Sequence, residues 1–384
     1  MAGNKKKIIR ATTVPMSLTS FCTGLLKELS EQYEVIALSS PGKELEQIHT
    51  TDGVRTIAVP MERHISLTKD IIALFRMIRV FMKEKPYMVH SMTPKAGLLC
   101  MMAAWICRVP RRVHTFTGLV WPTTTGVKRS ILMLTDKILC LCATHIIPEG
   151  QGVLQDLQAH ITKKPMKVLG YGNVRGVDIN YWDKTESVKE EGHKLRCRYG
   201  IDHEFTFLYV GRIVKDKGIN ELVEAFNELY SSHPESRLLL VGSKEDNLDP
   251  ISEKSKEIIE HLPSIIMTGP VFGRDLVNYY SAADCFVLPS YREGFPNTPI
   301  EAGAMGLPCI VTDINGSREI IEDGNNGIIV PSKDSSALCK AMTNLLENKY
   351  LCNSLAENAR PMIVSRFEQG FVRKCLYDFY NEIM

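Results

Sequence analysis

Short β-branched runs alternate with windows in which apolar residues recur every three or four positions, from one end of the chain to the other. Residues 7–12, 34–38, 88–91 and 111–116 read as strands in the first half. Residues 205–210, 237–241, 265–268, 285–288 and 309–312 do so in the second. Between them lie helical windows such as 220–230, with Leu222, Ala225, Phe226 and Leu229 on one stripe. Strands alternating with helices predict parallel sheets built from βαβ units. The pattern restarts after a polar, glycine-containing segment, 170–192, which reads as an interdomain linker. The last stretch, 367–384, places Phe371, Cys375, Leu376, Phe379 and Tyr380 at helical spacing. The predicted fold class is α/β, two Rossmann-like domains in tandem. Ligands in such folds bind at the carboxyl ends of strands, so a cleft between two facing domains is the expected site.

Length agrees with two domains: 384 residues exceed what one compact core usually holds. Hydrophobic residues at 44%, charged residues at 23% and a net charge of +2 exclude a disordered, collagen-like or nucleic-acid-coating chain. No nucleic-acid partner is expected. The even total hides an uneven distribution. Residues 1–180 hold 24 Lys+Arg against 13 Asp+Glu, a net +11, and residues 181–384 hold 22 against 31, a net −9. A basic half joined to an acidic half suggests different partners for each. The eleven cysteines include no Cys-x-x-Cys pair, and Cys100, Cys107, Cys285 and Cys309 sit in apolar stretches, so a reducing cytoplasm is expected rather than a disulfide scaffold. The N-terminal Met1-Ala-Gly-Asn-Lys-Lys-Lys segment lacks the apolar core of a signal peptide. The uncharged run between Lys95 and Arg108 is 12 residues, too short to span a bilayer.

Three loops after second-half strands concentrate the chemistry. The first, Gly211-Arg212 through Lys215 and Lys217-Gly218, sets three cations between a strand end and a helix start. Guanidinium, ammonium and helix-end amides together suit a diphosphate, whereas a Lys-rich turn alone would be a solvated basic loop. The second loop carries Glu293 and Glu301 on either side of a Gly-Phe-Pro-Asn turn. Thr298-Pro299-Ile300-Glu301 has the form of a capping box with proline at the first helical position, which would occupy Glu301 locally. Nothing local asks for an acid at Glu293. The third loop, Asn315-Gly316-Ser317-Arg318-Glu319, opens a further helix with an anion-friendly terminus that can also cap itself.

Together these residues carry a resemblance. The spacing Glu293-x7-Glu301, the Gly211-Arg212-x4-Lys217-Gly218 loop, and the order of Pro308, Gly316, Glu319, Gly324, Gly327 and Pro331 follow one family's pattern. The chain resembles the retaining, nucleotide-sugar-dependent glycosyltransferases of the GT-B fold, the family 4 type or glycosyl transferases group 1, and within them bacterial capsular and O-antigen polysaccharide enzymes. The resemblance implies two Rossmann-like domains facing across a cleft, with a C-terminal helix crossing back to the first. Its expected boundaries are 1–175 for the acceptor-side domain, 176–362 for the donor-binding domain and 363–384 for the returning helix.

It also implies roles. Gly211, Arg212 and Lys217 would hold the donor diphosphate, and the two cations would stabilise charge on the leaving group. Glu293 would accept hydrogen bonds from the donor sugar, with Gly294, Phe295, Pro296 and Asn297 beside the phosphates. Glu301 would bind the ribose. No Asp-x-Asp triplet occurs in the sequence, which fits a metal-independent mechanism with no cofactor, the nucleotide-sugar being a substrate. In the first half, His90 to Gly97 and His114 to Trp121 resemble loops that face sugar and acceptor. Where relatives carry a histidine before the glycine, this chain has Thr117, so Thr117 and His114 are the catalytic candidates on that side. The usual Gly-Gly loop after the first strand is replaced by Thr12-Thr13-Val14-Pro15-Met16-Ser17, leaving Ser17, Thr93 and Lys95 as acceptor-side candidates.

The expected donor is a UDP-sugar, with UDP-N-acetylhexosamine among the candidates, and the expected acceptor a polyprenyl-diphosphate-linked saccharide. In residues 69–85, Ile71, Ile72, Leu74, Phe75, Ile78 and Phe81 interleave with Arg76, Arg79, Lys83 and Lys85. That pattern suits an anionic membrane surface, hence a peripheral position at the inner face of the cytoplasmic membrane, or equally a packed helix with a solvated basic face. A nucleotide-sugar epimerase on the same fold stays open as an alternative. A dinucleotide-binding dehydrogenase is disfavoured, since no Gly-x-Gly-x-x-Gly follows the first strand.

Overall fold

The computed structural model describes residues 5–22, 24–62, 64, 66–245 and 249–384, so Met1 to Asn4 of the N-terminal segment lie outside the described residues. The chain forms two compact units, residues 1–175 with 372–384, and residues 176–371. The second boundary falls nine residues beyond the 362 read from the sequence, because the helix Lys349–Phe367 packs entirely with the second unit.

In chain order the first unit begins β1 (Lys7–Ala11), α1 (Pro15–Cys22), α2 (Leu25–Gln32), β2 (Glu34–Ser39), α3 (Lys43–Asp52) and β3 (Arg55–Ala58). It continues α4 (Leu67–Glu84), β4 (Met88–Ser91), α5 (Pro94–Ile106), β5 (Arg111–Phe116), α6 (Gly126–Cys142), β6 (His145–Pro148) and α7 (Gln151–His160). The second unit runs α8 (Glu186–Tyr199), β7 (Phe205–Val210), α9 (Ile219–Ser232), β8 (Ser236–Val241), α10 (Glu253–His261) and β9 (Ile265–Gly269). Then follow α11 (Arg274–Ser281), β10 (Cys285–Leu288), α12 (Asn297–Ala304), β11 (Cys309–Thr312), α13 (Ser317–Ile320) and β12 (Gly327–Val330). The helices α14 (Ser335–Glu347), α15 (Lys349–Phe367) and α16 (Gln369–Ile383) end the chain.

Each unit holds one six-stranded, all-parallel sheet, ordered β3-β2-β1-β4-β5-β6 in the first and β12-β11-β10-β7-β8-β9 in the second. Sheets covered on both faces need strands that are apolar on both sides, and β7 and β10 are buried through almost their whole length. The strands β3, β6 and β12, which the sequence pattern does not announce, are all four-residue edge strands. The latter part of the 170–192 segment is helical: α8 starts at Glu186, and the Thr185 hydroxyl caps it by accepting from Val188 N–H at 3.4 Å.

Two cores sandwich the first sheet. One joins Ile9, Ile36 and Val89 to α4, α5 and α6 through Met77, Phe81, Leu99 and Leu139. The other joins Ile8, Val35 and Met88 to α1, α2 and α3, and to α16 through Leu376, Phe379 and Tyr380. At its centre β1 buries Arg10, 2% exposed, whose guanidinium donates to His90 Nδ1 and to the Tyr380 hydroxyl, both at 2.7 Å. The Tyr380 hydroxyl also lies 2.6 Å from His90 Nδ1, and His90 Nε2 lies 2.8 Å from the Thr115 hydroxyl. Burial first, and then the neighbouring Arg10 charge, drive the His90 pKa well below its ordinary value. A neutral ring fits these contacts: its Nε2–H donates to Thr115, and its one Nδ1 lone pair is shared between the Arg10 and Tyr380 protons. The last helix is therefore fastened to the central strands by a buried polar node as well as by apolar packing.

Candidate functional site

In the second sheet the strand order reverses between β7 and β10, which pair directly through Cys285 with Phe207 and Phe286 with Leu208. The loops that leave the carboxyl ends of these two strands start there, and an open parallel sheet binds ligands at such a point. Both loops carry the predicted residues. Gly218 brings them together: its φ is +71°, and a Cβ there would collide with the carbonyl oxygen of Pro289. The β7 loop can thus lie backbone to backbone against the β10 loop. Tyr291 N–H donates to the Asp216 carbonyl at 2.9 Å, and Arg292 reaches the Asp216 carboxylate at 3.3 Å.

This contact sets Lys217 against Glu293. Their Nζ and Oε1 are 2.5 Å apart, and both side chains are largely buried. The Ser290 hydroxyl donates to the same Glu293 oxygen at 2.8 Å, and Thr312 at the end of β11 donates to the Ser290 carbonyl at 2.5 Å. Arg212, half-exposed, pairs with Glu245 at 2.9 Å on the loop after β8. Its backbone carbonyl accepts from the Tyr209 hydroxyl at 2.7 Å. Burial, with the Glu293 charge adding to it, pushes the Tyr209 phenol well above its ordinary pKa and keeps it a donor. The two cations read from the sequence are thus each engaged with a carboxylate. An arriving anion would exchange partners with them rather than meet bare charges.

A second glycine draws in the third loop. Gly316 has φ +78°, and a Cβ there would collide with the carbonyl oxygen of Gly294 and approach Pro296 Cδ to 2.8 Å. The segment Gly294-Phe295-Pro296 therefore lies against the start of α13, and leads through Asn297 into α12. The capping box expected at Thr298 to Glu301 is not formed. Helix α12 already begins at Asn297 with Pro296 at its N-cap, so Thr298 and Pro299 lie inside the first turn and no side chain caps it. Glu301 stands on the second turn, 7% exposed, and accepts from the Tyr280 hydroxyl at 3.3 Å. Its local excuse for being an acid is gone. Glu319 does accept from Gly316 N–H at 3.4 Å, as the self-capping reading expects.

Sequence reasoning missed Ser290, Tyr280, Glu245 and Tyr209, which position or engage the predicted residues. Ser290 follows a strand by two residues, and Glu245 lies just beyond β8, the neighbour of β7. Their places at strand ends along one crest were a usable signal.

The first-unit candidates fall at the corresponding crest, after β1, β4 and β5. Thr93 precedes α5 and its hydroxyl accepts from Thr13 N–H at 2.8 Å and lies 2.7 Å from the Thr13 hydroxyl. Thr117 is half-buried and donates to the Met92 carbonyl at 3.3 Å. Ser17 is half-buried on α1. Lys95 is held by Asp70 at 2.7 Å and also bonds the His64 carbonyl. His114 differs from these. It is 1% exposed on β5, its Nδ1 lies 2.9 Å from the Ser91 hydroxyl, and burial pushes its pKa down to about 3. Gly97 has no side chain because the His114 ring occupies that space. The structure thus gives His114 a packing place in the core, apart from the crest. No helix among the described residues is long and apolar enough to cross a membrane.

Two parallel sheets of Rossmann order, with paired cations and carboxylates at a strand-order reversal, define an α/β protein with a polar crest where open parallel sheets bind ligands. Residues 194–362 match the model of glycosyl transferases group 1, and residues 19–172 that of a glycosyl transferase 4-like domain. The chain belongs to the glycosyl transferases group 1 family and is a glycosyltransferase. It is 33% identical to the capsular polysaccharide biosynthesis glycosyltransferase CapM of Staphylococcus aureus, over 99% of this chain and 98% of that protein. It is 28% identical to a UDP-Gal:alpha-D-GlcNAc-diphosphoundecaprenol alpha-1,3-galactosyltransferase of Escherichia coli, over 88% and 86%. Its fold is that of Anabaena Alr3699/HepE, solved in complex with UDP, at a TM-score of 0.80 and 17% identity over 98% of this chain and 100% of that one.

Proposed function

We propose that the chain transfers a sugar, with retention, from a UDP-sugar to a polyprenyl-diphosphate-linked saccharide in capsular, exopolysaccharide or O-antigen synthesis. The observation that carries this reading is the Lys217–Glu293 pair at the β7/β10 reversal, held there by the contact of Gly218 with Pro289. Two relatives support the finer terms: one is a capsular polysaccharide enzyme, and the other takes UDP-Gal and a diphosphoundecaprenol-linked sugar. UDP-N-acetylhexosamine stays among the candidate donors.

In this reading Arg212 leaves Glu245, and Lys217 turns from Glu293, to meet the donor diphosphate. Gly211 and the Gly294-Phe295-Pro296-Asn297 segment line the same anion, and Glu301 takes the ribose hydroxyls. Freed from Lys217, Glu293 accepts hydrogen bonds from the sugar. The bond between the anomeric carbon and the diphosphate oxygen breaks, and the electron pair stays on the phosphate, where the two cations stabilise it. The acceptor hydroxyl forms the new bond on the same face, and its proton passes to a phosphate oxygen. Arg212, Lys217 and helix-end amides supply the positive charge, so no metal or cofactor enters the scheme. On the first unit, Thr117 with Ser17, Thr93 and Lys95 face the acceptor side. The protein works peripherally at the inner face of the cytoplasmic membrane.

The test is nucleoside diphosphate release from a panel of UDP-sugars, with and without a lipid-linked saccharide. Lys217→Ala and Glu293→Gln are each expected to lower turnover by about 10² to 10³-fold. Unchanged turnover in both variants would remove the site from these residues, and sugar inversion in the product would remove the same-face step.

A further inference from the structure

The helices α4, α5 and α6 form one layer on one face of the first sheet, with α5 packed between the other two. Both outer helices carry more apolar surface than their core contacts use. At about 100° per residue, Ala73, Met77 and Phe81 form the buried stripe of α4. Leu67, Ile71, Phe75 and Met82 form a second stripe beside it, and all four are exposed, Phe75 by 67%. Arg76, Arg79 and Lys83, also exposed, line the far side of that stripe. Helix α6 repeats the arrangement. Leu139 and Cys140 enter the core, while Val127, Ile131, Leu134 and Leu141 make an exposed stripe. Lys128 and Lys137 flank it. Trp105 and Ile106 are exposed at the end of α5.

Acids on this layer are withdrawn from the surface charge. Asp70 is taken by Lys95, and Glu84 is buried between Lys7 and Arg55. Burial pushes the Asp136 carboxyl up to about 7. What remains outward is apolar stripes bordered by cations.

We propose that the outward face of the α4–α5–α6 layer is the surface on which the protein lies against an anionic phospholipid bilayer. The apolar stripes enter the boundary of the acyl region and the flanking cations sit at the headgroups. Two observations select this occupant. A polar partner would leave two separate helices with unburied apolar stripes, and a second copy would bring cationic borders against one another. The inference deepens the proposed function and rests on it for the idea that the acceptor is lipid-linked.

Flotation of the full chain with vesicles tests it, one set of phosphatidylcholine and one enriched in phosphatidylglycerol. The chain is expected to float only with the anionic vesicles and to be released by salt. Each of Arg76→Glu and Arg79→Glu should lower partitioning by about fivefold or more, and Ile71→Ser with Phe75→Ser by about tenfold or more. Turnover on a short-chain, water-soluble acceptor analogue should stay at the wild-type value in these variants, because none of the four residues lies on a crest loop. The inference is overturned if the wild type stays at the bottom of the gradient, or if the variants partition as it does. It is also overturned if light scattering finds a dimer that the same substitutions disperse, which would give the face to a second copy. Vesicle binding without any donor turnover would sink the proposed function and leave this surface standing.

Discussion

The two sheets share one strand order, since β9-β8-β7-β10-β11-β12 repeats β3-β2-β1-β4-β5-β6 strand for strand, yet their crests carry different chemistry. The second crest is made of ion pairs, Lys217 with Glu293 and Arg212 with Glu245. The first is made of hydroxyls bonded to one another and to the backbone, at Thr13, Thr93 and Thr117. The cation it keeps, Lys95, is closed by Asp70, while other charges lie in the core as Arg10 or outward on the α4–α6 face. Central strands differ in the same sense: β7 carries no charge where β1 buries an arginine. Topology supplies the place where a ligand can sit, and the residues set what that place does. Anion recognition needs cations that are held but exchangeable, whereas the first crest is a network already satisfied from within.

The contrast can be broken most sharply at Gly218. Gly218→Ala puts a Cβ into the Pro289 carbonyl at a backbone angle that alanine resists, so the two loops must part. A loss of turnover of about 10²-fold or more is expected, with Lys217 no longer on Glu293. An alanine variant with wild-type kinetics would show that loop apposition does not matter. At the first crest, Lys95→Ala removes a cation already satisfied by Asp70, and a change in turnover of no more than about tenfold is expected.

Acid should separate the units next. His90 and His114 are buried with pKa values below the ordinary one, His114 down to about 3. The unfolded chain binds those protons at about 6.5 and the folded one does not. Stability is therefore complete above that pH and is lost as the pH falls from about 6.5 towards 3. Each histidine contributes a slope approaching 1.4 kcal/mol per pH unit, to order of magnitude. No histidine of the second unit is buried among the described residues. Hydrogen exchange at pH 7 and pH 5 should show the first unit loosening more than the second; equal loosening would contradict the assignment.

A smaller effect is expected at the buried node. Tyr380→Phe deletes a hydroxyl that bonds Arg10 and His90, and should lower stability by about 1–3 kcal/mol by thermal or denaturant unfolding. Amides of α16 should exchange faster than those of α15. An unchanged midpoint would leave apolar packing alone to hold the last helix.

Much of this was legible without coordinates, for reasons visible in particular residues. Central strands such as β7 and β10 are mostly apolar runs, because burial on both faces favours apolar side chains on both sides. Edge strands β3, β6 and β12 were not legible: each has four residues and one neighbour, so its pairing owes more to the sheet than to its own pattern. The charged residues of the second crest stood out because charged groups at strand ends are chemically conspicuous. The apparent capping box at Thr298 misled because local spacing cannot tell where a helix begins; the N-cap is Pro296, two residues earlier. The place of His114 was not legible either, since a strand residue near a loop can point into the core as readily as out of it, and here it is buried against Ser91.

By itself the sequence determined the two α/β units, the parallel sheets and the loops rich in cations and acids, because these follow from periodicity and composition over short spans. The tertiary structure alone decided who meets whom. It placed Lys217 on Glu293 across 76 residues, closed Arg10 with Tyr380 across 370, and left the apolar stripes of α4 and α6 facing outward beside their cations. Such contacts depend on backbone approach at Gly218 and on which side of a helix the core claims, and neither quantity is written in the order of residues along the chain.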